Sequence, residues 1–147
     1  MSQKKLRPGD RYQDSFSVSA EDVERFVALS GDSNRIHSDR VAAEHSPIGK
    51  EFSIPGFLSA LQFSRVLGTI FPGHGTVYRN QTLYWRRPMF IDTPYRIEIT
   101  VSSIEYPKDE SGHAKTPRAK LDTIIRDVAS GDVVLQGEAV VLHKERF

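Results

Sequence analysis

The stretch Phe57-Leu58-Ser59-Ala60-Leu61-Gln62-Phe63-Ser64-Arg65-Val66-Leu67-Gly68-Thr69-Ile70 decides how this chain folds. Its apolar residues Phe57, Leu58, Leu61, Phe63, Val66, Leu67 and Ile70 fit a helix and occupy most of its circumference. Only Gln62, Arg65 and Thr69 form a polar strip. A helix this apolar is expected to be buried. Ala60, Ser64 and Gly68 recur every four residues, a narrow stripe of small side chains where another backbone or a ligand can come close. Pro55 suits the first helical position, since its missing N–H is one that a helix leaves unpaired anyway. Pro72-Gly73-His74-Gly75 ends the helix.

Upstream of that helix the chain is helical, and downstream it is rich in strands. Ser19 precedes Ala20-Glu21-Asp22 and is placed to cap a helix running through Val23, Phe26 and Val27. Its acidic first turn suits the helix dipole, and Gly31 would end it. A short second helix is expected from Asp39 to about His45, with Ser38 as its cap. Thr76–Trp85, Tyr95–Tyr106, Ala119–Val128 and Val133–His143 carry the β-branched and aromatic residues of strands. Ser130-Gly131-Asp132 turns the last two into a hairpin. Tyr12–Val18 offers an edge strand, and Lys108–Thr116 an exposed, mobile loop. No repeat or linker divides residues 1–147, so one domain is expected. Its class is α+β, an antiparallel sheet wrapped around one long buried helix.

Composition narrows the functional classes. The 147 residues suffice for one domain that buries roughly 68–70% of its unfolded surface. With 38% hydrophobic and 27% charged residues, the composition is that of a globular chain rather than a disordered one. A net charge of +1 gives no reason to expect nucleic-acid or membrane partners. The absence of cysteine removes disulfides, thiolate nucleophiles and Cys-based zinc sites. No His/Asp/Glu spacing resembles a metal site. No run approaches the ~18 apolar residues of a membrane span. The N-terminal residues carry no apolar core of a secretory signal, so a cytoplasmic location is expected.

The reactive side chains gather in Ser30-Gly31-Asp32-Ser33-Asn34-Arg35-Ile36-His37. Gly31 can take the left-handed conformation that stops a helix. A carboxylate, an amide and an imidazole then follow within six residues. An Asp and a His converging on one water can move protons at neutral pH. Read alone, the same groups would do no more than satisfy local backbone, as Asp and Asn commonly do.

The layout resembles the hotdog fold, and the residues resemble its MaoC-like branch, the (R)-specific enoyl-CoA hydratases. That branch carries an aromatic, a short apolar stretch, then Gly-Asp-x-Asn-Pro-x-His, with a small residue six positions on. This chain has Phe26-Val27-Ala28-Leu29-Ser30-Gly31-Asp32-Ser33-Asn34-Arg35-Ile36-His37, then Ala43. Further motifs follow in the family's order: Pro55-Gly56-Phe57-Leu58 opening the apolar helix, Pro72-Gly73-His74-Gly75, then Tyr78. Arg35 stands where the family usually has Pro, and Pro55 where it has His.

The resemblance implies hydration of a 2-enoyl-CoA, or dehydration of an (R)-3-hydroxyacyl-CoA, without a cofactor. Asp32 and His37 would hold a water, with Asn34 either holding that water or orienting Asp32. In such a coupled pair the proton positions belong to the pair. The backbone N–H of Gly56, at a helix start, would stabilise the enolate oxygen. Ser64, on the stripe of small residues, and Tyr78 are candidates to contact substrate, though packing is the commoner role of such residues. The partner is an acyl-CoA, with an acyl carrier protein as the other possible carrier. A homodimer or higher homo-oligomer is expected, its sheets joined edge to edge and the acyl pocket at the interface. Two rival readings stay open: a hotdog thioesterase and a non-catalytic acyl-CoA-binding module. The helix from Phe57 to Ile70 has no Asp or Glu, which counts against the thioesterase. Arg86-Arg87 reads as a solvated strand end or a phosphate contact. His45, His74, His113 and His143 are expected at the surface.

Overall fold

Ser19 caps the first helix through a reciprocal pair of bonds, and the remaining elements follow in the expected order. The structure, a computed structural model, describes residues 4–49 and 52–147. The first three residues of the N-terminal stretch read above lie outside that range. The elements are β1 (Arg11–Phe16), α1 (Ala20–Ser30), α2 (Arg40–Glu44), α3 (Gly56–Thr69), β2 (Val77–Gln81), β3 (Tyr84–Trp85), β4 (Tyr95–Glu105), β5 (Arg118–Asp127) and β6 (Val133–Leu142). A single 3-10 turn, Arg35–His37, lies between α1 and α2.

The strands form one antiparallel sheet in the order β1-β4-β5-β6-β2, with β3 also paired to β6. Alternate residues of β4 (Tyr95, Ile97, Ile99, Val101) and β5 (Ala119, Leu121, Thr123, Ile125) are buried, as a sheet covered on one face requires. They share the core with Phe63, Val66 and Leu67 of α3. This is the expected α+β arrangement of a sheet around one long helix.

Four details differ from the sequence reading. First, α3 is buried on one side only. Leu58, Ser59, Phe63, Val66 and Leu67 face the core, whereas Phe57 is 66% and Leu61 49% exposed. The strip of Gln62 and Arg65 faces β1, where Arg65 meets Asp14 at 3.3 Å. Pro55 is the cap residue of this helix rather than its first turn. Second, the cap of α2 is Asp39, not Ser38. Its carboxylate accepts from the N–H groups of Val41 and Ala42, so Ser38 is left outside the helix.

Third, Thr76–Trp85 is two strands. The backbone of Thr82 crosses directly over Gly137 of β6, where a Cβ would stand 1.7 Å from the Thr82 carbonyl oxygen. Thr82 exchanges bonds with Glu138 there, N–H to carbonyl and N–H to Oγ1, both at 2.9 Å. Fourth, His143 is only 5% exposed. Its Nδ1 accepts from the N–H groups of Glu145 and Arg146, which leaves Nε2–H to donate to the His74 carbonyl at 2.9 Å. No local pattern announces that the C-terminal residues fold back on it. The 108–116 segment is exposed as expected, but it is a tight turn tied together by the Asp109 carboxylate and backbone.

Candidate functional site

The loop after α1 is built almost entirely from short-range bonds. Gly31 takes the left-handed conformation (φ 74°), and its N–H closes the helix on Val27. Asp32 N–H donates to Ser30 Oγ at 3.1 Å, and Asp32 Oδ1 accepts from the Asn34 N–H at 3.2 Å. Asn34 Oδ1 in turn caps the 3-10 turn through the Ile36 N–H, at 3.4 Å. Asn34 therefore orients Asp32 with its backbone while its side chain serves the turn. The second carboxylate oxygen of Asp32 has no partner among the described residues.

His37 is placed by a long-range contact. Its Nδ1 lies 2.6 Å from the carbonyl oxygen of Ser53. A carbonyl only accepts, so Nδ1 carries the hydrogen, and the neutral ring has its lone pair on Nε2. Ser53 is itself fixed by a bridge to Phe90, whose N–H donates to the Tyr95 hydroxyl at 2.9 Å.

Two hollows meet at His37. One, of about 560 Å³, is walled by Val23, Val27, Phe52 and Ile91 and carries Asp32, Asn34 and His37 on its rim. The other, of about 420 Å³, holds His37, Ser53, Gly56, Ser59 and Trp85. The structure thus gathers Asp32, Asn34 and His37 around one hollow and joins them to Gly56 through His37. Gly56 is the first residue of α3, where N–H groups have no helical acceptor.

Other candidates fall elsewhere. Ser64 is exposed on α3, and Tyr78 lies on the edge strand β2; neither borders the two hollows. The Tyr78 hydroxyl donates to Gln81, and desolvation of the phenol pushes its pKa up to about 12. Arg35, the departure from the family pattern, is tied to the Asp39 carboxylate and borders neither hollow. The N–H of Ala42, and then Arg35, hold that carboxyl below its ordinary range. Arg86 lies over the Tyr84 ring at 4.3 Å and Arg87 pairs with Asp132 at 2.8 Å; unlike the other candidates of this group, both also line the hollow that holds Gly56. Among the described residues no cluster suits a metal ion, and no helix is long and apolar enough to cross a membrane.

Two residues of the site escaped the sequence reading. Ser53 acts through its backbone carbonyl, which no side-chain pattern can reveal. Trp85, the one tryptophan of the chain, read only as a strand aromatic.

A twisted antiparallel sheet around α3, with an Asp/Asn/His loop facing the helix start, defines a protein of the hotdog class. No protein-family model matches the chain. An (R)-specific enoyl-CoA hydratase of Aeromonas caviae is 32% identical over 141 residues, 96% of this chain and 98% of the relative. A 3-hydroxybutyryl-CoA dehydratase of Methylorubrum extorquens is 33% identical over 125 residues, 84% of this chain and 72% of the relative. The solved structure of an unliganded R-hydratase from Pseudomonas aeruginosa matches with a TM-score of 0.80 at 31% identity, over 95% of this chain and 83% of that one. The chain belongs to the (R)-specific enoyl-CoA hydratase family, the MaoC-like hydro-lyases of the hotdog fold.

Proposed function

We propose that this protein adds water across the double bond of a 2-enoyl-CoA and catalyses the reverse dehydration of an (R)-3-hydroxyacyl-CoA. The observation that carries the reading is the place of His37, on the shared wall of the hollow bearing Asp32 and the hollow bearing Gly56. We place C3 of the substrate at Asp32 and His37 and its thioester oxygen at the Gly56 N–H, across the wall the two hollows share.

The steps follow from that placement. A water held between the free oxygen of Asp32 and Nε2 of His37 forms a bond from its oxygen to C3. The π electrons move to the thioester oxygen as an enolate. The water's proton passes to the Asp32/His37 pair, whose Nε2 lone pair is available because Ser53 holds the hydrogen on Nδ1. The enolate oxygen is stabilised by the Gly56 N–H and the helix dipole. Its collapse takes a proton from the pair to C2, so the net addition is one water.

The same reading covers assembly. The sheet ends at β2, whose outer edge is unpaired and whose Val77 is 54% exposed. Exposed edges of this kind invite pairing. We place a second copy of the chain along β2 and the exposed Phe57 and Leu61 face of α3. Ser64 and Tyr78 then border the joint pocket and contact the acyl chain. Analytical ultracentrifugation checks this: a dimer is expected, and a monomer at micromolar concentration contradicts it.

The activity is tested by mixing purified protein with crotonyl-CoA while following enoyl absorbance and free thiol. Loss of absorbance without thiol, abolished in Asp32→Ala, is the expected result. Thiol release assigns a thioesterase instead. Tight acyl-CoA binding without turnover at any chain length assigns a binding module. The same assay with an acyl carrier protein thioester decides between carriers.

A further inference from the structure

We infer that Trp85 positions the backbone N–H of Gly56 and so sets how strongly the site polarises a thioester oxygen; this rests on the role of Gly56 proposed above. The start of α3 lacks the usual local support. Pro55, its cap residue, makes no side-chain bond to the first turn. Glycine at the first position has the widest backbone freedom of any residue. A donor aimed at a developing charge must be held to roughly half an ångström and 10–20°. The helix's own bonds, from the Leu58 and Ser59 N–H groups to the Pro55 carbonyl and from the Ser59 hydroxyl to the Gly56 carbonyl, leave the Gly56 Cα to be held from elsewhere.

Trp85 does it from 29 residues away. Its Nε1–H donates to the Gly56 carbonyl at 3.1 Å and to Ser59 Oγ at 3.2 Å. Ser59 Oγ–H donates to the same carbonyl at 2.5 Å. The indole ring also packs on the Cα of Gly56. A Cβ there would stand 3.1–3.3 Å from ring atoms Cε2, Nε1 and Cζ2. The ring is packed in turn against Phe57, the two tilted at 59° with centroids 5.5 Å apart. The strand that carries Trp85 is anchored by pairing to Leu135 and by the Arg86 N–H on Val134.

The carbonyl of Gly56 is therefore held jointly by Ser59 and Trp85, and its Cα by the indole ring. The Pro55–Gly56 peptide plane that carries the N–H is held on its other side by the Leu58 and Ser59 N–H groups on the Pro55 carbonyl. Trp85 acts through Gly56, as a positioning residue. The contact also favours glycine at residue 56: a Cβ there would require the ring that holds it to give by a few tenths of an ångström.

The test uses crotonyl-CoA with a carbon-13 thioester carbonyl, whose bound C=O stretch reports polarisation directly by difference infrared spectroscopy. In the natural protein the stretch is expected to move to lower frequency on binding. Trp85→Phe keeps a ring against Phe57 but loses the N–H. It is expected to lose at least about half of that shift and to lower kcat roughly 10-fold with KM nearly unchanged, as for a partly misaimed oxyanion donor. Ser59→Ala removes the hydroxyl's bond to the carbonyl and one of the two acceptors of the Trp85 Nε1–H, keeps the Trp85 bond to Gly56, and is expected to lose less of the shift, in the same direction.

A shift and kcat in Trp85→Phe equal to the natural protein's would overturn the inference. If that variant fails to fold, Ser59→Ala and Gly56→Ala carry the test, and an unchanged shift in both is equally fatal. No carbonyl shift in the natural protein would instead remove the role of Gly56, on which the inference stands. A shift that is present but indifferent to Trp85 removes the inference alone.

Discussion

The two halves of the site are built in opposite ways. The Asp32 loop hangs on bonds between residues two to four positions apart: Gly31 to Val27, Asp32 to Ser30, Asn34 to Asp32. The Gly56 helix start is held by residues far away in sequence, above all Trp85 on β3. His37 belongs to both, since it ends the local loop and is oriented by the distant Ser53 carbonyl. The reactive side chains are thus supplied by a short segment, and the electrostatic surface that receives the charge by the packed fold. Substitutions in the loop should change which protons move. Substitutions around the helix start should change how well charge is held.

The largest effect is expected at the loop. Asp32→Ala should lower turnover about 10²–10⁴-fold with the fold intact, measured by crotonyl-CoA hydration and by circular dichroism. Turnover near that of the natural protein would move the chemistry away from the loop. The next effect belongs to the helix start. Gly56→Pro removes the N–H and should lower kcat about 10²–10³-fold. It also adds a Cβ against the Trp85 ring, so Gly56→Ala is the necessary comparison, since it adds that Cβ and keeps the N–H. If the two variants are equally slow, crowding rather than the lost donor is the cause.

A smaller effect concerns the helix that carries the loop. Ser19→Ala should cost about 1 kcal/mol of stability in urea unfolding, as loss of an N-cap does. The Ser19 backbone N–H, then its hydroxyl, hold the Asp22 carboxyl below its ordinary value of 3.8. Its folded pKa is therefore lower than its unfolded one. The stability it contributes is present above the unfolded value and is lost as pH falls through the folded value. Asp22→Asn should flatten that part of the acid unfolding profile; an unchanged profile would remove the cap from the account. The smallest effect is expected at Arg35. Its pair with Asp39 is exposed and borders neither hollow, so Arg35→Ala should leave both the urea-unfolding midpoint and kcat close to those of the natural protein.

The same contrast explains what the sequence made legible. Ser19, Gly31 and the Asp32–His37 spacing act locally, so their roles can be read from residue order. The β-branched runs mark the strands for the same reason. Long-range closure cannot be read that way. Nothing in Thr76–Trp85 announces that Thr82 must cross a glycine on β6, and Val133–His143 does not reveal that its last imidazole is clasped by the residues after it. The apolar girth of α3 predicted burial all round. The chain alone covers one side, and the other is the face assigned above to a second copy. Ser38 and Asp39 are both good caps, and only the geometry of the 3-10 turn before them decides for Asp39.

We propose that Asp32 and His37 together deliver a water to C3 of an enoyl thioester. The most direct test is turnover of crotonyl-CoA in oxygen-18 water, read by mass spectrometry for the natural protein and Asp32→Asn. The label is expected on the C3 hydroxyl of an intact thioester, with no labelled product from the variant above background. Label in a free carboxylate, or equal labelling by the variant, would contradict it.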